Sequence, residues 1–122
     1  LFKEGNLLAI DPKELAVQAA RAAEDKKGRD VLILDITKIS VVADYFVLSS
    51  GNSSTQVKAI ADHVEEKLEE AGIKALRREG IREGHWILLD YGDVVVHIFQ
   101  QEDRDYYNLE RLWGDAQVVN YE

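Results

Sequence analysis

The sequence predicts an α/β domain, a mixed β-sheet flanked by helices. Three observations carry that expectation. Val57, Ile60, Ala61, Val64 and Leu68 form an apolar stripe at helical spacing, and the opposite face is charged. Short runs at 31–36, 45–49 and 86–99 are rich in the β-branched and aromatic residues that strands favour. Strand-like runs lie on both sides of the central helix, so the two that flank it are expected to form a crossover unit.

In chain order, Asp11-Pro12-Lys13-Glu14 opens the first helix. Asp11 can cap, Pro12 suits the first helical position and Glu14 can complete a capping box. Leu15, Ala19, Ala22 and Ala23 share a face, Lys26-Lys27 suits the negative end of the helix dipole, and Gly28 supplies a stop. Val31 to Ile36 is a nearly continuous apolar run, as in a strand covered on both sides. Residues 37–43 connect, with a short helical turn, to a second strand at Tyr45 to Ser49. Ser50-Gly51-Asn52-Ser53-Ser54 is turn chemistry, and Ser53 with Gln56 matches a capping box. The central helix follows and ends at Gly72.

Ala75 to Glu79 reads as an edge strand whose charges discourage aggregation. His85 to Gln101 reads as a hairpin, with a two-residue loop at Tyr91-Gly92. A primed turn there forces Tyr91 towards positive φ. The alternative, a bulged loop, avoids that strain but shifts one strand's register and swaps its faces. The two-residue loop is preferred because it separates residue types better. That register sets Asp90 against Asp93, Leu88 against Val95 and Trp86 against His97. Ile87, Leu89, Val94, Val96 and Ile98 form an aliphatic core face. Trp86, Leu88, Asp90, Asp93, Val95, His97 and Phe99 form a mixed face suited to meeting another molecule. Glu102 to Trp113 is a final helix with Tyr106, Leu109, Leu112 and Trp113 on its apolar face. The last eight residues show no pattern.

The 122 residues fit a single domain with its core at 11–114 and short tails. That length buries a core without metals or disulfides, and the chain has no Cys. No apolar run approaches the roughly 20 residues of a membrane span, and no secretory pattern is visible. A cytoplasmic location is the expectation. The chain begins Leu1-Phe2 and has no Met, so it is expected to be less than an intact translation product. The formal charge is −8 and Lys74 to Arg82 is the only basic cluster, which argues against direct nucleic-acid readout. An acidic chain suits a basic protein partner.

Catalytic signals are weak. Ser50 to Ser54 can hold an anion on backbone N–H groups, but it lacks the Lys and Gly spacing of a P-loop. No strand offers an alternating Asp-x-Asp or Asp-x-Glu for two magnesium ions. Asp90 and Asp93 flank a turn, where carboxylates are more often solvated turn formers than ligands. His63, His85 and His97 lack zinc spacing, and no cofactor is expected. Ser49, Ser50, Ser53 and Ser54 have no base nearby in sequence. Trp86, Tyr91, Tyr107 and Trp113 are candidate interface anchors, Tyr91 being expected to be exposed at its turn.

A further group of stretches must be taken together. Asp44-Tyr45-Phe46-Val47 precedes Ser50-Gly51-Asn52-Ser53, then Gln56-Val57, Ala59-Ile60-Ala61-Asp62 and Glu79-Gly80. Residues 86–99, WILLDYGDVVVHIF, and 104–113, RDYYNLERLW, follow. In this order and spacing, over Leu15 to Asp115, they resemble the ribosomal silencing factor family, also called the Iojap family. The resemblance implies a nucleotidyltransferase-like fold without that chemistry. It also implies binding to the large ribosomal subunit through a basic protein of the intersubunit face, ribosomal protein uL14. Occupying that face blocks small-subunit joining and lowers translation when nutrients are short. Homodimers are implied for the free protein. The implied contact set maps onto the hairpin as Trp86, Leu88, Asp90, Tyr91, Asp93, Val95 and His97. The alternative is a nucleotide-dependent nucleotidyltransferase, with Gly51 to Ser54 cradling phosphate and Asp90 and Asp93 holding magnesium.

Overall fold

A computed structural model describes residues 10–121. Strands β1 (Arg29–Asp35), β2 (Tyr45–Gly51), β3 (Arg77–Glu79), β4 (Trp86–Asp90), β5 (Val94–Gln100) and β6 (Gln117–Val118) form one sheet. Their order is β3-β4-β5-β2-β1-β6. Helices α1 (Pro12–Asp25) and α2 (Ser54–Glu70) cover one face. The short helices α3 (Gln101–Tyr107) and α4 (Leu109–Leu112) lie on the other.

The sheet is mixed, as the sequence predicts. β2 and β5 run parallel, and the other neighbouring pairs are antiparallel. The crossover is wider than expected. The strand after the central helix, β3, pairs with β4, while β5 pairs with β2 and sets Tyr45 opposite Val94. Burial explains the choice. The Arg-Arg-Glu of β3 is exposed throughout and suits an edge, whereas all of β5 but Gln100 is buried.

α1 starts with Pro12 in its first turn and the Asp11 carboxylate accepting from Glu14 N at 3.3 Å, as predicted. The Glu14 carboxylate, however, accepts from Gln18 Nε2 at 3.4 Å rather than closing a capping box. Its end differs. Lys27, not Gly28, takes the left-handed conformation, with φ 63°. Gly28 is needed for space instead: a Cβ there would overlap Ser49 Oγ and lie 2.8 Å from Ala23 O. At the start of α2, Ser53 Oγ accepts from Gln56 N at 3.1 Å. Gln56 Oε1 reaches one residue past the cap and accepts from Asn52 N at 2.6 Å. The predicted stripe Val57, Ile60, Ala61, Val64 and Leu68 is buried.

The C-terminal helix is not continuous. Asn108 adopts φ 49° and ψ 60°, and its side chain accepts from Arg111 N at 3.3 Å. Asparagine tolerates this conformation and caps the next helix with the same side chain. The break turns Leu109 and Trp113 towards the sheet and leaves Tyr106 and Leu112 exposed, unlike the single apolar face expected. The tail that showed no pattern supplies β6, which pairs Val118 with Leu34.

Alternation along the strands makes two cores. Ile33, Val47, Ile87, Leu89, Val94, Val96 and Ile98 join α1 and α2. Leu34, Phe46, Leu48, Val95 and Phe99 face α4, together with Leu109 and the partly buried Trp113. Gly80, in the β3–β4 connection, has φ 78°, and a Cβ there would overlap the Trp86 carbonyl oxygen. Gly80→Ala is expected to lower the unfolding free energy by about 2 kcal/mol or more, seen as a lower urea midpoint at unchanged slope. A wild-type midpoint would mean that this connection relaxes freely.

Candidate partner-binding surface

The β4–β5 hairpin separates its faces as predicted, but its register is two residues away. Trp86 lies opposite Phe99, Leu88 opposite His97 and Asp90 opposite Val95. Tyr91 N donates to Val94 O at 2.9 Å, so the two-residue loop is Gly92-Asp93 rather than Tyr91-Gly92. Gly92 has φ 89°, and neither Tyr91 nor Asp93 is at positive φ. This is the Gly-first arrangement of a type II′ turn, and it removes the strain the predicted loop would place on Tyr91. A shift by two keeps each side chain on its face.

On the mixed face, Trp86 sits diagonally from His97. The indole N–H donates to His97 Nδ1 at 3.1 Å. The Trp86 ring stacks on Phe99 at 4.9 Å and contacts Tyr107 at 4.7 Å. Phe46 meets His97 edge-on at 4.7 Å and Trp113 at 5.3 Å. Since Nδ1 accepts, the proton of the neutral imidazole sits on Nε2, which is buried without a hydrogen-bond partner. Burial pushes the His97 pKa down from 6.5 to about 4.

The seven predicted contact residues divide into groups. Trp86 and Leu88 are half-buried and adjoin the second core. Val95 and His97 are only 7% and 5% exposed, so they support that face from beneath. Asp90 Oδ1 accepts from Gly92 N at 2.8 Å, and Oδ2 pairs with Arg77 at 3.3 Å. Asp93 is exposed at the turn, and its carbonyl accepts from Asp44 N and Tyr45 N. Tyr91 departs from expectation. It is half-buried against the α1/α2 core, on the other side of the sheet from Trp86. Burial, with Glu65 and Glu69 of α2 nearby, raises its pKa.

Several groups in and beside the loop expected to cradle phosphate are already bonded within the chain. Asn52 N and Gln56 N are bonded as above, Asn52 Oδ1 accepts from Arg29 at 2.7 Å, and Ser50 Oγ accepts from Arg104 at 2.9 Å. Among the described residues no group of three or more His, Cys, Asp or Glu can hold a metal ion. Two features escaped the sequence reading. Arg104 is buried, pairing with Glu110 at 3.0 Å, and nothing local in RDYYN marks it as such. Val41 and Val42 are exposed, and an apolar pair within a connecting segment was the available signal.

The sign of the His97 shift sets a pH dependence. Its folded pKa lies below its unfolded value, so the unfolded chain binds the extra proton between pH 6.5 and about 4. The stability is present above pH 6.5 and is lost as pH falls through that window. Between pH 7 and pH 5 this group removes on the order of 2 kcal/mol. Urea unfolding at both pH values should show that loss in the wild type and a smaller one in His97→Gln. Equal losses would place the effect elsewhere.

The family model described as "Ribosomal silencing factor during starvation" matches residues 9–122. The ribosomal silencing factor RsfS of Bacillus subtilis is 47% identical over 111 residues, 91% of this chain and 94% of that protein. A Chromobacterium violaceum crystal structure superposes with a TM-score of 0.84 at 40% identity, covering 92% of each chain. The chloroplastic protein Iojap of Zea mays is 33% identical, covering 85% of this chain and 45% of that protein. A Mus musculus relative, 26% identical and covering 72% of this chain and 40% of its own, is named mitochondrial assembly of ribosomal large subunit protein 1. No helix among the described residues is long and apolar enough to cross a membrane. The chain belongs to the ribosomal silencing factor family.

Proposed function

We propose that this chain binds the large ribosomal subunit through ribosomal protein uL14 on the intersubunit face and blocks joining of the small subunit. Translation then falls under nutrient limitation. The observation that carries the reading is the half-open aromatic face around Trp86, bordered by Asp90 and Asp93, in a chain of the silencing-factor family. The name of the mouse relative supports the large subunit as the target. The net charge of −8 complements a basic ribosomal protein.

In this reading Trp86 and Leu88 make the apolar contact, and Asp90 and Asp93 align the partner. Val95 and His97 hold the face from below, and Tyr91 braces the turn against α2. The work is binding energy and excluded volume, with no catalytic step and no cofactor. The free protein is a cytoplasmic homodimer.

Purified protein should sediment with isolated large subunits, not with small subunits, and should reduce joined ribosomes when both are present. Trp86→Ala should weaken large-subunit binding about tenfold or more, as truncation of a central aromatic anchor does. Unchanged affinity in a folded variant would remove the hairpin from the contact surface. Absence of co-sedimentation by the wild type at moderate salt would sink the proposal itself.

A further inference from the structure

The β1–β2 connection exposes three aliphatic side chains outside both cores. Val41 is 105% exposed, Val42 70% and Ile39 42%. The loop does not need them for its shape. Ile39 N and Ser40 N donate to Ile36 O, and Val42 N donates to Ser40 Oγ at 3.0 Å, bonds that polar residues would permit equally well.

Backbone hydrogen bonds fix where these side chains stand. Asp44 N and Tyr45 N both donate to Asp93 O, at 2.7 and 3.1 Å, tying the end of the loop to the β4–β5 turn. On the other side of that turn, Leu76 N donates to Asp90 O at 2.7 Å, and the Leu76 side chain lies beside Gly92. Leu76 is itself 72% exposed. Exposed aliphatic groups thus run along one end of the sheet, interspersed with Asp44, Asp90 and Asp93. The row continues from the mixed face of β4 by way of Asp90.

We propose that the β1–β2 loop is a second arm of the docking surface, with Val41 and Val42 entering an apolar recess on a basic protein while Asp44 and Asp93 pair with cations around it. The inference rests on the subunit-binding reading above and adds a second contact region to it. A basic partner fits better than a second copy. A two-fold contact through this patch would gather Asp44 and Asp93 of both copies into one interface, in a chain already carrying −8, whereas Asp90 is already paired with Arg77.

The test compares wild type, Trp86→Ala and the double variant Val41→Ser/Val42→Ser for binding to purified large subunits. The exposed valines lie outside both cores, so the urea midpoint of the double variant should match wild type. Its affinity for the large subunit should fall about tenfold, with self-association unchanged in sedimentation velocity. Asp44→Asn/Asp93→Asn should lessen the salt dependence of binding. Wild-type affinity in the valine variant, beside weakened Trp86→Ala, would overturn the loop inference and leave the subunit reading standing. A change in self-association with subunit affinity intact would assign the loop to a second copy and also overturn it. No binding by wild type would remove both readings.

Discussion

β2 and β5 pair in parallel at the centre of the sheet, and both bury side chains on both faces. Strands of this kind need cover twice. On one side α1 and α2 provide it, with the small side chains Ala16, Ala19, Ala20 and Ala23 allowing close approach. On the other side the cover is two short helices interrupted at Asn108. Arg104 secures it, reaching Ser50 Oγ on β2, Glu110 on α4 and, at 3.5 Å, the Arg29 carbonyl on β1. A buried guanidinium is tolerated only when its donors are met in this way. The partial exposure of Trp86 and Leu88 on β4 marks where that cover thins. The candidate surface is therefore the unfinished part of a core.

The same economy shapes Trp86. Its indole N–H is satisfied within the chain, by a histidine that burial keeps neutral. Phe99 and Tyr107 contact the ring. In the proposed contact, a side chain held like this would lose little rotamer freedom, which lowers the cost of association. The polar atom is also removed from the surface, so the outer part of the ring offers mostly apolar area.

Local rules made most of the fold legible. The caps at Asp11 and Ser53, the stripe on α2 and the alternation of 86–99 each follow from spacing that a single element imposes. The hairpin faces were readable because pleat parity is local. Its pairing was not, because Tyr91-Gly92 and Gly92-Asp93 both place a glycine in the loop and differ only in backbone strain. Elements decided by distant contacts were hidden. β6 exists because β1 has a free edge, and Arg104 is buried because Ser50 and Glu110 meet it there. The position of Tyr91 against α2 likewise depends on packing across the sheet. On the mixed face, Trp86, Leu88, Asp90, Val95, His97 and Phe99 were legible, whereas Asp93 lies in the turn and which members are outermost depends on α3 and α4.

The single parallel seam also has a kinetic consequence. β1 with β2 and β4 with β5 are antiparallel neighbours in sequence, each joined by a short connection. The seam between them sets Tyr45 against Val94, so all of α2 and the β3–β4 region lie within the loop it closes. Loop closure and contact order make such a pairing slow relative to local hairpins. Contact order therefore favours pairing within each ribbon before the seam closes. Until they join, each ribbon offers an unpaired edge, β2 from one and β5 from the other, and these edges are the sticky parts of the incomplete molecule.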